Sequence, residues 1–126
     1  NNDIYKYRSN ARKLYKKEKK YEHLVEDHHC IPRQWKNHEV IERLDFDINS
    51  SENLLIMPNN KGKKYLNLDP NTIVHQGGHS KYNLFVKKNL DEINTKCYEE
   101  CRYEFWLFLH YLKKNIQNNE DNIPWK

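Results

Sequence analysis

Glu26-Asp27-His28-His29-Cys30-Ile31-Pro32 follows directly on Leu24-Val25, and two adjacent histidines after an apolar pair are poorly explained as packing. Side chains alternate across a strand, so His28 and His29 cannot both be buried on one face of it. If the strand ends at this pair, one imidazole can point at a bound metal while its neighbour faces the substrate held there. Downstream, His75-Gln76-Gly77-Gly78-His79 supplies two more histidines four apart. On a helical turn that spacing puts both on one side, where they can share a divalent ion. Four of the seven histidines therefore fall into two tight clusters.

The rest of the chain sets limits on what surrounds these clusters. Its 126 residues suffice for one domain with a modest core but make two independent domains a squeeze. Charged residues make up 32%, hydrophobic residues 37% and aromatics 13%, a profile of a small folded domain with a heavily solvated surface. The net charge of +4 becomes informative through its distribution. Arg8, Arg12, Lys13, Lys16, Lys17, Lys19 and Lys20 form one basic group, and Lys61, Lys63 and Lys64 another around Gly62. Either group can track a phosphate backbone or form a solvated face. Cys30, Cys97 and Cys101 cannot all pair and read as small buried thiols, kept reduced. No stretch reaches the ~18 apolar residues of a membrane span, and no signal peptide stands at the start. An opening Asn in place of Met suggests processing or excision from a longer protein.

Along the chain, Ile4, Tyr7, Ala11, Leu14 and Tyr15 follow the helical spacing and predict a basic amphipathic helix over 3–20. Leu24-Val25 leads as a strand into the histidine pair, and Pro32 ends it. Residues 33–44 suit a short helix or irregular turn, and the Asx- and Ser-rich 45–53 a structured loop. Leu54-Leu55-Ile56-Met57 before Pro58 predicts a buried strand, and 59–67 a basic loop. Asp69-Pro70 resembles a helix start that would carry His75; the alternative is a turn at Gly77-Gly78 and a fresh helix capped by Ser80. From Tyr82 to Leu112 the apolar spacing predicts one long helix, or two separated near Asn94-Thr95. Trp106, Phe108 and Tyr111 put aromatics on more than one side and hint at a partner or another part of a longer parent. The polar stretch from Asn115 to Lys126 is expected to fray.

The ordered set His28-His29, Asn53 before an apolar run ending in Pro58, then His75 and His79, resembles the HNH endonuclease superfamily with its ββα-metal fold. The His-His-x-x-Pro start, Asp47-Ile48-Asn49, Asn53-Leu54 and His75-x-Gly-x-His79-x-x-Tyr82 look most like the group named for a conserved Ala-His-His. The likeness covers residues 26 to about 93. It departs at Asp27, where the group has Ala, and in the two glycines of the second cluster. Glu26 matches an acidic position of the similar colicin-type DNases, where it helps to order the site.

The resemblance implies an α+β fold: a ββα-metal core over about 24–93 with a small antiparallel hairpin, flanked by helices at 3–20 and 94–117, in a single domain over 1–126. It implies that His28, His75 and His79 hold one divalent metal, that His29 is the general base, and that Asn53 fixes the loop orienting His29. Arg33 and Lys64 are candidate phosphate contacts, Glu26 a supporting acid, and Tyr82 a residue that orients its helix or touches substrate. The expected activity is metal-dependent hydrolysis of phosphodiesters, in DNA rather than RNA, with low sequence specificity. The group's likeness to toxin domains adds an inhibitor protein as a partner and action inside a cell after delivery. Two readings stand beside it: a zinc-stabilised nucleic-acid-binding module, with Cys30 or His29 as fourth ligand, and a phosphodiesterase acting on RNA. The choice among Zn, Mg, Mn and Ni stays open, as does the oligomeric state.

Overall fold

The histidine pair closes β1 (Val25–His29), which runs antiparallel to β2 (Leu54–Pro58) with His28 opposite Leu55 and His29 opposite Leu54. In the computed structural model, which describes residues 3–75, 79–118 and 123–125, this is the one sheet found among the described residues. Five α-helices accompany it among the described residues: α1 (Asn10–Glu18), α2 (Glu39–Arg43), α3 (Asn60–Tyr65), α4 (Ser80–Ile93) and α5 (Tyr98–Gln117). The fold is therefore α+β, with strand, strand and helix in the order of a ββα core and further helices before and after it. The chain gathers into two compact units, Asn1–His29 with Asn49–Gly77, and Cys30–Ile48 with Gly78–Lys126.

The first unit is built on the sheet. Leu24, Val25, Leu54, Leu55 and Met57 are buried, as expected of short apolar runs ended by turns. Outside the sheet, α1 begins only at Asn10, because the Ser9 side chain accepts from the Arg12 N–H and caps the helix there; residues 4–8 form turns rather than helix. On the sheet side of α1, Arg12 and Lys16 reach Asp27 at 3.0 and 2.8 Å. Asp27, the departure from Ala-His-His, is thus the anchor of the N-terminal helix. The basic loop expected at 59–67 is instead helix α3. Its cap is Asn59, whose Oδ1 accepts from the Gly62 N–H at 2.7 Å. A Cβ on Gly62 would lie 1.9 Å from the Leu24 carbonyl oxygen, so the glycine that suggested a loop is what lets the helix approach the strand.

The second unit is helical. Tyr82, Val86, Leu90 and Ile93 of α4 and Cys101, Phe105, Phe108, Leu109, Leu112 and Ile116 of α5 are buried together with Val40, Ile41 and Ile48. The chain breaks between α4 and α5 at Asn94, where Arg43 donates to the Asn94 carbonyl and Oδ1, each at 3.1 Å, and to the Lys96 carbonyl at 3.1 Å. Those carbonyls would otherwise lack helical partners. Cys97 is exposed, contrary to the expectation of burial, because it precedes the first turn of α5 rather than lying within it. The tail expected to fray from Asn115 is helical to Gln117, with Asn115, Ile116 and Ile123 buried. No helix of the described residues is long and apolar enough to cross a membrane.

Candidate active site

Alternation along β1 sends His28 and His29 to opposite faces, and each meets a different environment. His28, 1% exposed, lies with its ring centroid 5.3 Å from that of His75. His75 lies outside regular secondary structure, its N–H donating to the Pro58 carbonyl at the end of β2 at 2.8 Å. The helix expected to start at Pro70 is absent: Asp69 Oδ1 accepts from the Asn71 N–H at 2.7 Å, an Asx turn that uses the same side-chain chemistry as a helix cap. Burial holds the His75 pKa below the ordinary imidazole value, opposed by the nearby Glu26 carboxylate. Both act on the ring, and burial is the stronger. His75 is thus kept neutral at physiological pH, the form in which imidazole can donate to a cation. Glu26 is exposed and shares His28's side of the strand by alternation.

On the other face, His29 Nε2 donates to Asn49 Oδ1 over 2.9 Å. The Tyr7 ring meets the His29 ring edge-on, centroids 4.5 Å apart, and the Tyr7 N–H donates to the Asn49 carbonyl at 2.9 Å. Asp3 secures the same loop: its Oδ2 accepts from the Ser51 N–H at 2.7 Å, and that bond lowers its pKa. Asn49 belongs to the Asp47-Ile48-Asn49 piece of the family resemblance, but neither its partnership with His29 nor that of Tyr7 follows from the sequence: an Asx-rich run can satisfy its own turns, and Tyr7 fits an amphipathic stripe.

Asn53 is fully buried at the end of a 3-10 turn, Ser51–Asn53, directly before the Leu54 that pairs with His29. Lys64 is exposed in the last turn of α3.

In the second unit, His79 rather than Ser80 precedes α4 as its N-terminal cap residue, without a side-chain capping bond. Its ring packs against Trp125 at 4.9 Å and Tyr82 at 6.0 Å. Gly77 and Gly78 lie outside the described residues. Tyr82 is fully buried, its hydroxyl donating to the Cys30 carbonyl at 2.6 Å. Arg33 is exposed at the start of a 3-10 turn, Arg33–Trp35. Cys30 is buried, and burial pushes its thiol up to about 12. No sequence signal marks Trp125, which sits in a polar tail.

The sequence profile of a nuclease family of the HNH/ENDO VII superfamily with conserved Ala-His-His matches residues 9–104. No curated protein and no solved structure matches the chain.

Proposed function

Because the chain belongs to the HNH/ENDO VII nuclease family with conserved Ala-His-His, we propose that it hydrolyses phosphodiester bonds with one divalent metal ion, in DNA and with low sequence specificity. This reading takes residues 1–126 as one nuclease domain, and assigns His28, His75 and His79 as metal ligands and His29 as general base. The observation that carries it is the division of labour at β1: one histidine of the pair faces a second, neutral imidazole, while the other is gripped by an amide.

The donor set fits a metal. Within the first unit His28 and His75 stand with ring centroids 5.3 Å apart, and His79 offers a third imidazole nitrogen of the kind that binds a divalent ion. The lowered pKa of His75 frees its ring for coordination without competition from a proton. Nitrogen donors suit Zn and Ni and tolerate Mn or Mg. A divalent ion held there supplies positive charge to the phosphoryl and leaving oxygens as negative charge develops on them.

The chain's own residues do the rest. An amide oxygen only accepts, so His29 carries its proton on Nε2 in the neutral ring and presents Nδ1 as the basic atom. Nδ1 takes a proton from water, and the resulting imidazolium keeps its Nε2–H bond to Asn49 throughout. Tyr7 fixes the plane of the ring from the side. Asn53 supports the start of β2 opposite His29. Glu26 balances charge near His75, Lys64 and Arg33 contact phosphate, and Tyr82 holds its helix to the Cys30 carbonyl. A toxin or effector role, with an inhibitor protein as partner, follows the family likeness.

Incubation with supercoiled plasmid and with RNA, each with and without chelator, tests the reading. Plasmid nicking that stops with chelator supports it. Cleavage of RNA alone moves the activity to an RNA-directed phosphodiesterase, and metal-stabilised binding without cleavage of either makes the chain a binding module.

A further inference from the structure

We propose that Arg8 is a substrate-binding residue, gripping a phosphodiester of the nucleic acid close to the one that is cleaved. The inference rests on the nuclease reading and on His29 as the base.

Three observations in the first unit converge on this residue. Arg8 holds its guanidinium carbon 5.0 Å from the centroid of the Tyr7 ring, and that ring meets His29 at 4.5 Å. Two short steps therefore separate a cation from the catalytic imidazole. A nucleic-acid strand carries one charge per about 3.4 Å of helix axis, so neighbouring phosphates come within its reach when one lies at His29.

Secondly, Arg8 sits in the left-handed region, at φ 63, where a side chain with a Cβ is disfavoured. Lys20, His23, Asp45 and Asn67 also adopt it, so it marks no site by itself, but it persists only where the surroundings over-determine it and so fix the backbone that carries the side chain. Here the backbone is tied on both sides. The Tyr7 N–H donates to the Asn49 carbonyl at 2.9 Å and the Ser9 N–H to the Lys6 carbonyl at 3.0 Å, while Ser9 caps α1.

Thirdly, the basic residues of this segment divide by task. Arg12 and Lys16 are committed to the largely buried Asp27. Arg8 is exposed, and no ion pair engages it among the described residues. A planar guanidinium steadied on an aromatic face keeps its donors pre-arranged for two phosphate oxygens, which an ammonium cannot match.

The test uses the full chain with Arg8→Ala, Arg8→Gly and Arg8→Lys. Steady-state nicking of supercoiled plasmid is measured, with binding of a fluorescein-labelled DNA duplex in chelator over a range of NaCl. Arg8→Ala and Arg8→Gly should each raise KM about tenfold, with kcat within about threefold, and lower the slope of log affinity against log salt by about one. Arg8→Lys should restore the slope and only part of the affinity. Because glycine relaxes the left-handed backbone, equal losses in Arg8→Gly and Arg8→Ala assign them to the missing guanidinium. Unchanged KM and salt slope in Arg8→Ala, or a wild-type Arg8→Gly beside an impaired Arg8→Ala, would overturn the proposal. Should the wild type cleave neither plasmid nor RNA, the nuclease reading fails, while the duplex-binding slopes still decide whether Arg8 grips a phosphate.

Discussion

His29 and Asn49, twenty residues apart, are joined by a 2.9 Å hydrogen bond from Nε2 to Oδ1, and the same asparagine accepts from the Tyr7 main chain. The bond fixes which ring nitrogen bears the proton and how the ring is turned. Asn49→Ala should therefore lower kcat for plasmid nicking by about 10- to 100-fold, the size of loss that follows removal of the partner orienting a metal-bound imidazole. KM and the thermal midpoint should change little, since Asn49 is exposed. Nitrogen chemical shifts of the His29 ring give a second readout: Nε2-protonated in the wild type, a mixture of tautomers in the variant.

Asp27 binds Arg12 and Lys16 with its side chain only 6% exposed. Removing one member of a buried pair costs about 3–5 kcal/mol, because the other charge is left without compensation. Asp27→Ala, which restores the residue of the family motif, should thus lower stability in urea unfolding by an amount in that range. The double variant Asp27→Ala/Arg12→Met should recover much of the loss, since it removes the stranded guanidinium while keeping an apolar side chain at the site.

Gly62→Ala should destabilise the protein by about 1–3 kcal/mol, the cost of overpacking. The Cβ would stand 1.9 Å from the Leu24 carbonyl oxygen, a backbone atom that cannot rotate away. A urea midpoint equal to that of the wild type would show that α3 does not lie against the strand as described.

The thiols give a test of burial that is independent of activity. Cys30 is raised to about 12 and Cys101 is also raised, each chiefly by burial, whereas Cys97 is exposed. A raised pKa leaves the unreactive thiol dominant at pH 8. Iodoacetamide at that pH should therefore label Cys97 in the native protein and reach Cys30 and Cys101 only after unfolding, as mass spectrometry of the peptides would show.

Much of this arrangement was legible in the residues. The strand ending in two histidines, the apolar run closed by Pro58 and the break near Asn94 all follow from local pattern, and the family resemblance named from those pieces is the one the profile match shows. What escaped depends on distant partners. Gly62 suggested a loop because the Leu24 carbonyl it must admit lies 38 residues away. Asp69 could cap a helix or an Asx turn, and His75's bond to Pro58 accompanies the turn. Tyr7 carries no motif, Asn49 belongs to one that assigns it no role, and only the fold brings the two to His29.

Plasmid nicking by His29→Ala, in protein assayed for bound metal, tests the central claim most directly. Wild type and variant should each bind one divalent ion per chain, and the variant should lose about 10²- to 10⁴-fold in rate, the contribution of a positioned general base. Nicking at the wild-type rate, or loss of the ion along with the imidazole, would contradict the assignment of His29 as the base beside a metal held by other histidines.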